Sequence, residues 1–259
     1  MISRRILGAL ILICASVARA EAPAPPMIDP KADAVLKEMC QNLAGAKQFS
    51  FEANEFSDEV MPTGQKLQFT KRATVSIRRP NNLHAVVKGD RENFSAVYDG
   101  KMVAFHDPTN NQYATAPMPD TIDAAVDTLA TKYGMVAPLV DLLFSDPKES
   151  LTAHVQAGMY IGEGDGGCEG KPVPCHHLAF RQDSVDWQIW VDKGEKALPR
   201  KLVITYKTLP GEPQFVAFLG NWNLSPNFAA DLFKFNPAPG AKQIELKPLP
   251  PAPTTQPGR

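Results

Sequence analysis

The stretch from Cys175 to Trp222 leaves this chain few options. Four runs rich in β-branched and aromatic residues follow one another: Cys175–Arg181, Asp186–Val191, Leu198–Lys207 and Phe215–Trp222. Only Gln182-Asp183-Ser184, Gly194-Glu195 and Leu209-Pro210-Gly211-Glu212-Pro213 separate them. Connections this short join antiparallel neighbours, because a parallel pair needs a crossover of about a dozen residues or more. Apolar side chains fall on both parities. Trp187, Ile189 and Val191 share a face opposite Gln188 and Trp190, and Phe215, Ala217 and Leu219 share one opposite Val216, Phe218 and Trp222. Such a meander must be covered on at least one side.

The same period of two runs earlier in the chain. Phe49 to Met61 and Lys66 to Arg79 read as a long hairpin turned at Pro62-Thr63-Gly64. Leu67, Phe69, Ala73, Val75 and Ile77 take one face of its second strand, against Gln68, Thr70, Arg72, Thr74 and Ser76. Leu83–Gly89, Asn93–Tyr98, Met102–His106 and Gln112–Ala116 continue the meander, with Asp99-Gly100 as a two-residue hairpin signal. Helical spacing interrupts it. Asp29 and Pro30 open a helix with Val35, Leu36, Met39 and Leu43 on one stripe, stopped by Gly45. Thr121 opens another, with Ile122, Ala125, Val126, Leu129 and Tyr133 on one face and Gly134 at its end. Leu139–Phe144 is a short piece with almost no polar side, and Asp146-Pro147 opens a third. Strands resume at Val155–Gly162, a glycine-rich turn Gly162–Gly170 leads into the meander, and Phe233 and Phe235 read as a last short strand.

About ten or eleven strands therefore face three or four short helical pieces, and a sheet of that size tends to curl. The expected fold is mainly β (α+β): a curved antiparallel sheet forming an incomplete barrel, with helices as a lid over its apolar concave side. Residues 29–247 are expected to form one domain, after a flexible lead at 21–28 and before a Pro-rich tail at 248–259.

Arg4 and Arg5, the apolar run Ile6–Val17 and Ala18-Arg19-Ala20 have the pattern of a cleaved secretory signal over residues 1–20. The run is shorter than the roughly 20 residues that span a bilayer, so no transmembrane segment is expected in the mature chain. Export implies an oxidising compartment. Cys40, Cys168 and Cys175 remain after the signal, and Cys168–Cys175, flanking Glu169-Gly170-Lys171-Pro172-Val173-Pro174, is the expected disulfide among three pairings. The formal net charge of -1, with no basic run in the mature region, argues against a nucleic-acid partner.

Two groups of motifs carry a family resemblance. Arg78-Arg79-Pro80-Asn81-Asn82-Leu83, Tyr98-Asp99-Gly100-Lys101, Phe105-His106-Asp107-Pro108 and Gln112-Tyr113 resemble the corner and hairpins of LolA/LolB-type periplasmic lipoprotein carriers. Phe49-Ser50-Phe51-Glu52, Gly64-Gln65-Lys66-Leu67-Gln68-Phe69, Ala114-Thr115-Ala116-Pro117, Pro174-Cys175-His176-His177-Leu178-Ala179-Phe180-Arg181, Asp186-Trp187-Gln188-Ile189-Trp190 and Leu198-Pro199-Arg200-Lys201-Leu202 are similar to phrases of a family of predicted periplasmic proteins, domain of unknown function 2092. The resemblance implies a periplasmic protein with a LolA-like half-barrel and a helical lid over an apolar cavity. It implies no particular ligand.

Catalytic signatures are weak. His176 and His177 are adjacent on a strand and point to opposite faces, so they cannot share a metal ion, and no metal site or cofactor is expected. No Gly-x-Ser-x-Gly elbow appears, and Gly162–Gly167 lacks the lysine and following helix of a phosphate loop. No catalytic residue is expected. The candidate cavity lining is Phe51, Phe69, Val75, Ile77, Phe105, Tyr113, Trp187 and Ile189, with Leu139, Leu142 and Leu143 as removable cover and Arg79 and Arg181 as polar anchors. The leading expectation is a non-catalytic carrier of a lipid acyl chain or lipidated peptide. Two alternatives stand beside it: an envelope module binding a protein partner, and a hydrolase, which a deep polar pocket uniting His106, His154 or His177 with an acid would mark.

Overall fold

The computed structural model describes residues 27–168 and 170–250. The expected signal, most of the lead and the end of the tail lie outside them. Among the described residues the strands are β1 (Met27–Ile28), β2 (Gln48–Val60), β3 (Lys66–Arg78), β4 (Asn82–Gly89), β5 (Asn93–Tyr98), β6 (Met102–Asp107), β7 (Gln112–Pro117), β8 (Ala157–Asp165), β9 (Pro174–Arg181), β10 (Val185–Asp192), β11 (Pro199–Tyr206), β12 (Gln214–Asn223) and β13 (Lys242–Gln243). The helices are α1 (Pro30–Gly45), α2 (Ile122–Tyr133) and α3 (Pro147–Thr152), with a 3₁₀ turn at Val140–Leu143 between the last two.

All thirteen strands form one sheet in the order β1-β8-β9-β10-β11-β12-β2-β3-β4-β5-β6-β7-β13. Two antiparallel meanders, β2 to β7 and β8 to β12, are thus joined side by side where β12 pairs with β2. We call them the first and second wings. The sheet does not close, and α2, the 3₁₀ turn and α3 carry the chain from the outer strand of one wing to the outer strand of the other. The curved, lidded half-barrel expected from the pattern is the observed architecture. Its two extreme edges differ from a purely antiparallel sheet. Met27–Ile28 adds in parallel to β8, and Lys242–Gln243 adds in parallel to β7. Phe233 and Phe235 are not the final strand. Phe233 is buried in a turn against Phe228, with ring centroids 5.3 Å apart.

The inner faces of both wings meet the helices in one core. The second wing contributes Leu178, Phe180, Trp187, Ile189, Val191, Leu202, Phe215, Ala217 and Leu219, and the first Phe49, Phe51, Val75, Ile77, Tyr98 and Val103. Helix α1 lies against β8 and β10. Asp29 caps it through Lys31 N and Ala32 N, and its stripe Ala32, Leu36, Met39, Cys40 and Leu43 is buried. Lys148 of α3 pairs with Asp33 at 2.7 Å and ties the two helices together.

The cysteine expectation is corrected. Cys40, Cys168 and Cys175 are all free thiols. Cys168 sits in the tip of the β8–β9 hairpin, bridged to Lys171, whereas Cys175 is on β9 and fully buried. The Gly166 backbone packs over the Cys175 sulfur so closely that a β-carbon on Gly166 would come within 2.6 Å of it. The hairpin is closed by Asp165 instead, whose carboxylate accepts from Gly167 N at 2.8 Å and Val173 N at 2.7 Å. Burial pushes the Cys40 thiol up to about 12 and the Cys175 thiol up to about 11, so both stay protonated at neutral pH.

Candidate functional site: an apolar groove under a latched lid

Strand parity places the groove floor. On β2 the inward positions are Phe49, Phe51, Ala53, Glu55 and Ser57; their partners on β3 are Ile77, Val75, Ala73, Lys71 and Phe69. Leu83, Ala85 and Val87 extend the floor along β4, and Phe94, Ala96 and Tyr98 along β5. The end of the floor nearest Phe49 is sealed. Phe49, Phe51 and Ile77 are fully buried, and Trp222 stacks on Phe51 with centroids 4.5 Å apart. Away from that end the apolar side chains are only half-buried: Phe69 toward the open end, Ala85, Phe94 and Phe105 toward the outer strands of the first wing, and Ile204 and Tyr206 on the second.

The lid over the first wing is α2 with the 3₁₀ turn. Thr121 caps α2 through Ala124 N at 3.2 Å, and Gly134, at φ 69°, ends it in the left-handed conformation that suits glycine. Its face toward the core is only partly covered. Ile122 and Ala125 are buried, whereas Val126, Leu129 and Tyr133 are half-buried. Polar bonds at one end hold it down. Arg79, just past β3, donates from its two terminal nitrogens to the Leu143 and Phe144 carbonyls, each at 2.8 Å. The Tyr98 hydroxyl donates to the Pro119 carbonyl, and Ile122 N to the Pro80 carbonyl at 2.9 Å. Asp123 accepts from Ser145 N at 3.0 Å and links the two lid segments. Burial pulls the Arg79 guanidinium below its ordinary range, against the opposing field of Asp123, and its buried Nε has no partner among the described residues. The charge is bound to backbone carbonyls with its desolvation only partly offset.

The expected lining residues separate into two groups. Phe51, Phe69, Val75, Ile77, Phe105, Trp187 and Ile189 share the inner face, and Leu139, Leu142 and Leu143 are buried in the cover. Tyr113 is not brought there. The β6–β7 register sets it opposite His106 rather than Phe105, so it faces outward and packs on Phe235 at 5.3 Å. Arg181 takes the outward parity of β9 and is exposed, while Arg79 is the residue that engages the lid. His176 and His177 take opposite faces: His176 Nδ1 lies 3.0 Å from the Tyr160 hydroxyl, and His177 stacks on Trp190 at 3.9 Å. His106, His154 and His177 are spread over β6, the turn before β8, and β9.

Glu55 and Lys71 are functional candidates that pattern reading passes over. Glu55 is 6% exposed on the floor, directly across from Lys71, whose ammonium lies 3.6 Å from its carboxylate and 3.0 Å from that of Glu92. Burial raises the Glu55 carboxyl above its ordinary range, with Lys71 opposing the shift. Beside them the β4–β5 turn folds over the floor. Arg91 covers the Phe69 ring at 4.7 Å and pairs with Glu59, and Asp90 accepts from Thr70 N at 2.6 Å.

A curved, unclosed sheet under a polar-bonded helical cover defines a class by fold: an antiparallel half-barrel with a lid. The family match makes this more particular. Residues 32–247 match the family model described as "Predicted periplasmic protein (DUF2092)", and the chain belongs to that family. No functionally curated protein matches it. Among solved structures it is similar to an uncharacterized conserved protein from Thermus thermophilus, at 12% identity over 83% of this chain and 99% of that one, with a TM-score of 0.46. It is likewise similar to lipoprotein LppX of Mycobacterium tuberculosis, at 12% identity over 77% and 98% with a TM-score of 0.47. A LolA superfamily protein from Nitrosomonas europaea is similar at 10% identity over 79% and 97%, with a TM-score of 0.36.

Proposed function

We propose that the protein is a non-catalytic periplasmic binder that carries a lipid acyl chain, free or on a lipidated peptide, in the groove beneath α2. The observation that supports this most is the contrast in how the groove is covered. Its floor is apolar across β2 to β5 from Phe49 to Ala53 and their partners, yet the lid over it buries its own apolar face only in part and is held by the Arg79 bonds to Leu143 and Phe144. An acyl chain that displaces the half-buried Val126, Leu129 and Tyr133 substitutes one apolar surface for another and gains about 0.8 kcal/mol per buried CH₂. Breaking the Arg79 bonds costs a fixed amount, so a chain of sufficient length opens the lid.

The test is native mass spectrometry of the protein purified from a periplasmic extract, followed by titration with a fluorescent fatty acid. The expected result is a bound species of acyl-lipid mass, or saturable binding of the probe at one site. A protein that carries no lipid and takes up no probe contradicts the reading. One observation favours a second reading, docking of an envelope protein partner. Met159, on the outward parity of β8, and Ile161, at the β8 bulge, are 54% and 50% exposed. Site-specific photocrosslinking from position 159 in living cells would capture such a partner.

A further inference from the structure

The Lys71–Glu55 pair raises a question that the acyl groove alone does not answer. A carboxylate in the floor of an apolar groove is costly to desolvate, and an apolar residue of similar size would bind a hydrocarbon chain at least as well. Glu55 and Ser76 are the only polar residues among the buried residues described. Glu55 continues the inward parity of Phe51 and Ala53, as Lys71 continues that of Val75 and Ala73, so both point where an acyl chain would lie.

The next inward residues lead out of the floor. Ser57 and Glu59 on β2, and Phe69 on β3, pass from the half-buried floor into a cavity of about 430 Å³ at the open end. Its wall is completed by Asp58, Thr70, Lys71, Arg91 and Glu92. Two cations and two carboxylates therefore line one space, with an aromatic ring at its base and the buried Glu55 carboxylate beneath Lys71. Asp58 turns its carboxylate to the opposite face, where it accepts from Gln68 Nε2 at 3.3 Å. The exposed charges are held weakly: Arg91 pairs with Glu59 and Lys71 with Glu92. The side chains of Arg91, Glu59 and Glu92 are about half exposed, and exposed pairs of this kind contribute about 0–1 kcal/mol each. Exchange of these pairs for charges on a ligand is correspondingly cheap.

We propose that this cavity is the polar-head station of the groove, and that it selects amphiphiles whose head carries a phosphate next to an ammonium group. Lys71 and Arg91 then take the phosphate oxygens in place of Glu92 and Glu59, and the two released carboxylates take the ammonium. A purely anionic head meets Glu55, Glu59 and Glu92 against only two cations, and an uncharged head leaves the pairs as they are. The buried Glu55 holds the Lys71 ammonium, 3.6 Å away, at the junction of chain and head. This inference rests on the acyl-carrier reading and adds the class of head group.

The test uses the full mature chain with three probes: palmitate, a phosphatidylethanolamine and a phosphatidylglycerol with the same acyl chains, each presented in detergent and read by native mass spectrometry. The expected order is phosphatidylethanolamine at least tenfold tighter than phosphatidylglycerol. Arg91→Ala, a surface change, and the double variant Glu55→Gln/Lys71→Met, which leaves no buried charge unpaired, are expected to abolish that preference while both still bind palmitate. Equal affinity for the two phospholipids, or a preference that survives both variants, overturns the head station and leaves the acyl-carrier reading standing if palmitate binds. Failure of all three probes to bind overturns both.

Discussion

The two wings of the sheet have the same period of two, yet they are covered differently. The second wing lies under α1. Leu178, Ile189 and Val191 on its floor are fully buried, as are Leu36, Met39 and Leu43 on the helix above. The first wing lies under α2 and the 3₁₀ turn, and its floor is half-buried at Ala85, Phe94 and Phe105, as is the lid at Val126, Leu129 and Tyr133. Burial to completion makes α1 part of the core. Partial burial, with attachment through the Arg79 guanidinium, makes α2 a cover. The difference separates a half packed to completion from a half covered only in part, and the proposed function assigns the ligand to the second.

Substitutions at matched positions would break or sharpen that contrast. The largest effect is expected for Leu36→Ala on α1. Emptying a fully buried leucine site costs about 2–5 kcal/mol, and urea unfolding should show that loss with the slope unchanged. Equal losses for Leu36→Ala and Leu129→Ala on α2 would erase the distinction between core and cover. A smaller effect is expected for Arg79→Leu. Hydrogen bonds from a charged group contribute roughly 1.5–3 kcal/mol each, partly cancelled here by relief of the guanidinium's desolvation. Its larger consequence falls on the lid, with faster proteolysis between Gly134 and Ser145 and tighter retention of a fluorescent fatty acid. The smallest is expected for Glu55→Gln. The folded-state pKa of Glu55 is raised, so the native protein gives up stability as pH rises from below the ordinary carboxylate value through the raised one. The glutamine variant has no such loss, and thermal melts from pH 4 to 7 should show it gaining on the native protein as pH rises.

Much of the wing architecture was legible before coordinates, because alternation and turn residues set strand order and face. The β2–β3 turn at Pro62-Thr63-Gly64 is an example: its centre fixes the register that puts Phe51 across from Val75. The same register puts Glu55 across from Lys71, but a charged residue on an inward parity reads as a break in the pattern, so both were passed over. Tyr113 was misplaced for a related reason. The loop from Pro108 to Asn111 sets the β6–β7 register, and a one-residue change there exchanges the faces. Arg79 could be singled out as a polar residue at a corner, but its partners lie 64 and 65 residues further on, and no local pattern reaches that far. The disulfide expectation failed because proximity in sequence says nothing of where a thiol points. Cys175 takes the outward parity of β9 and is buried beneath the Gly166 backbone, and the Asp165 carboxylate closes the loop in its place.

Hydrogen–deuterium exchange with and without palmitate tests the division between cover and core most directly. Amides of residues 122–144 should exchange through local opening, far faster than those of residues 30–45, and their exchange rates should shift when palmitate is added while α1 stays as it was. Equal protection of the two segments, unmoved by the fatty acid, would mean that both helices are core and that the groove does not open.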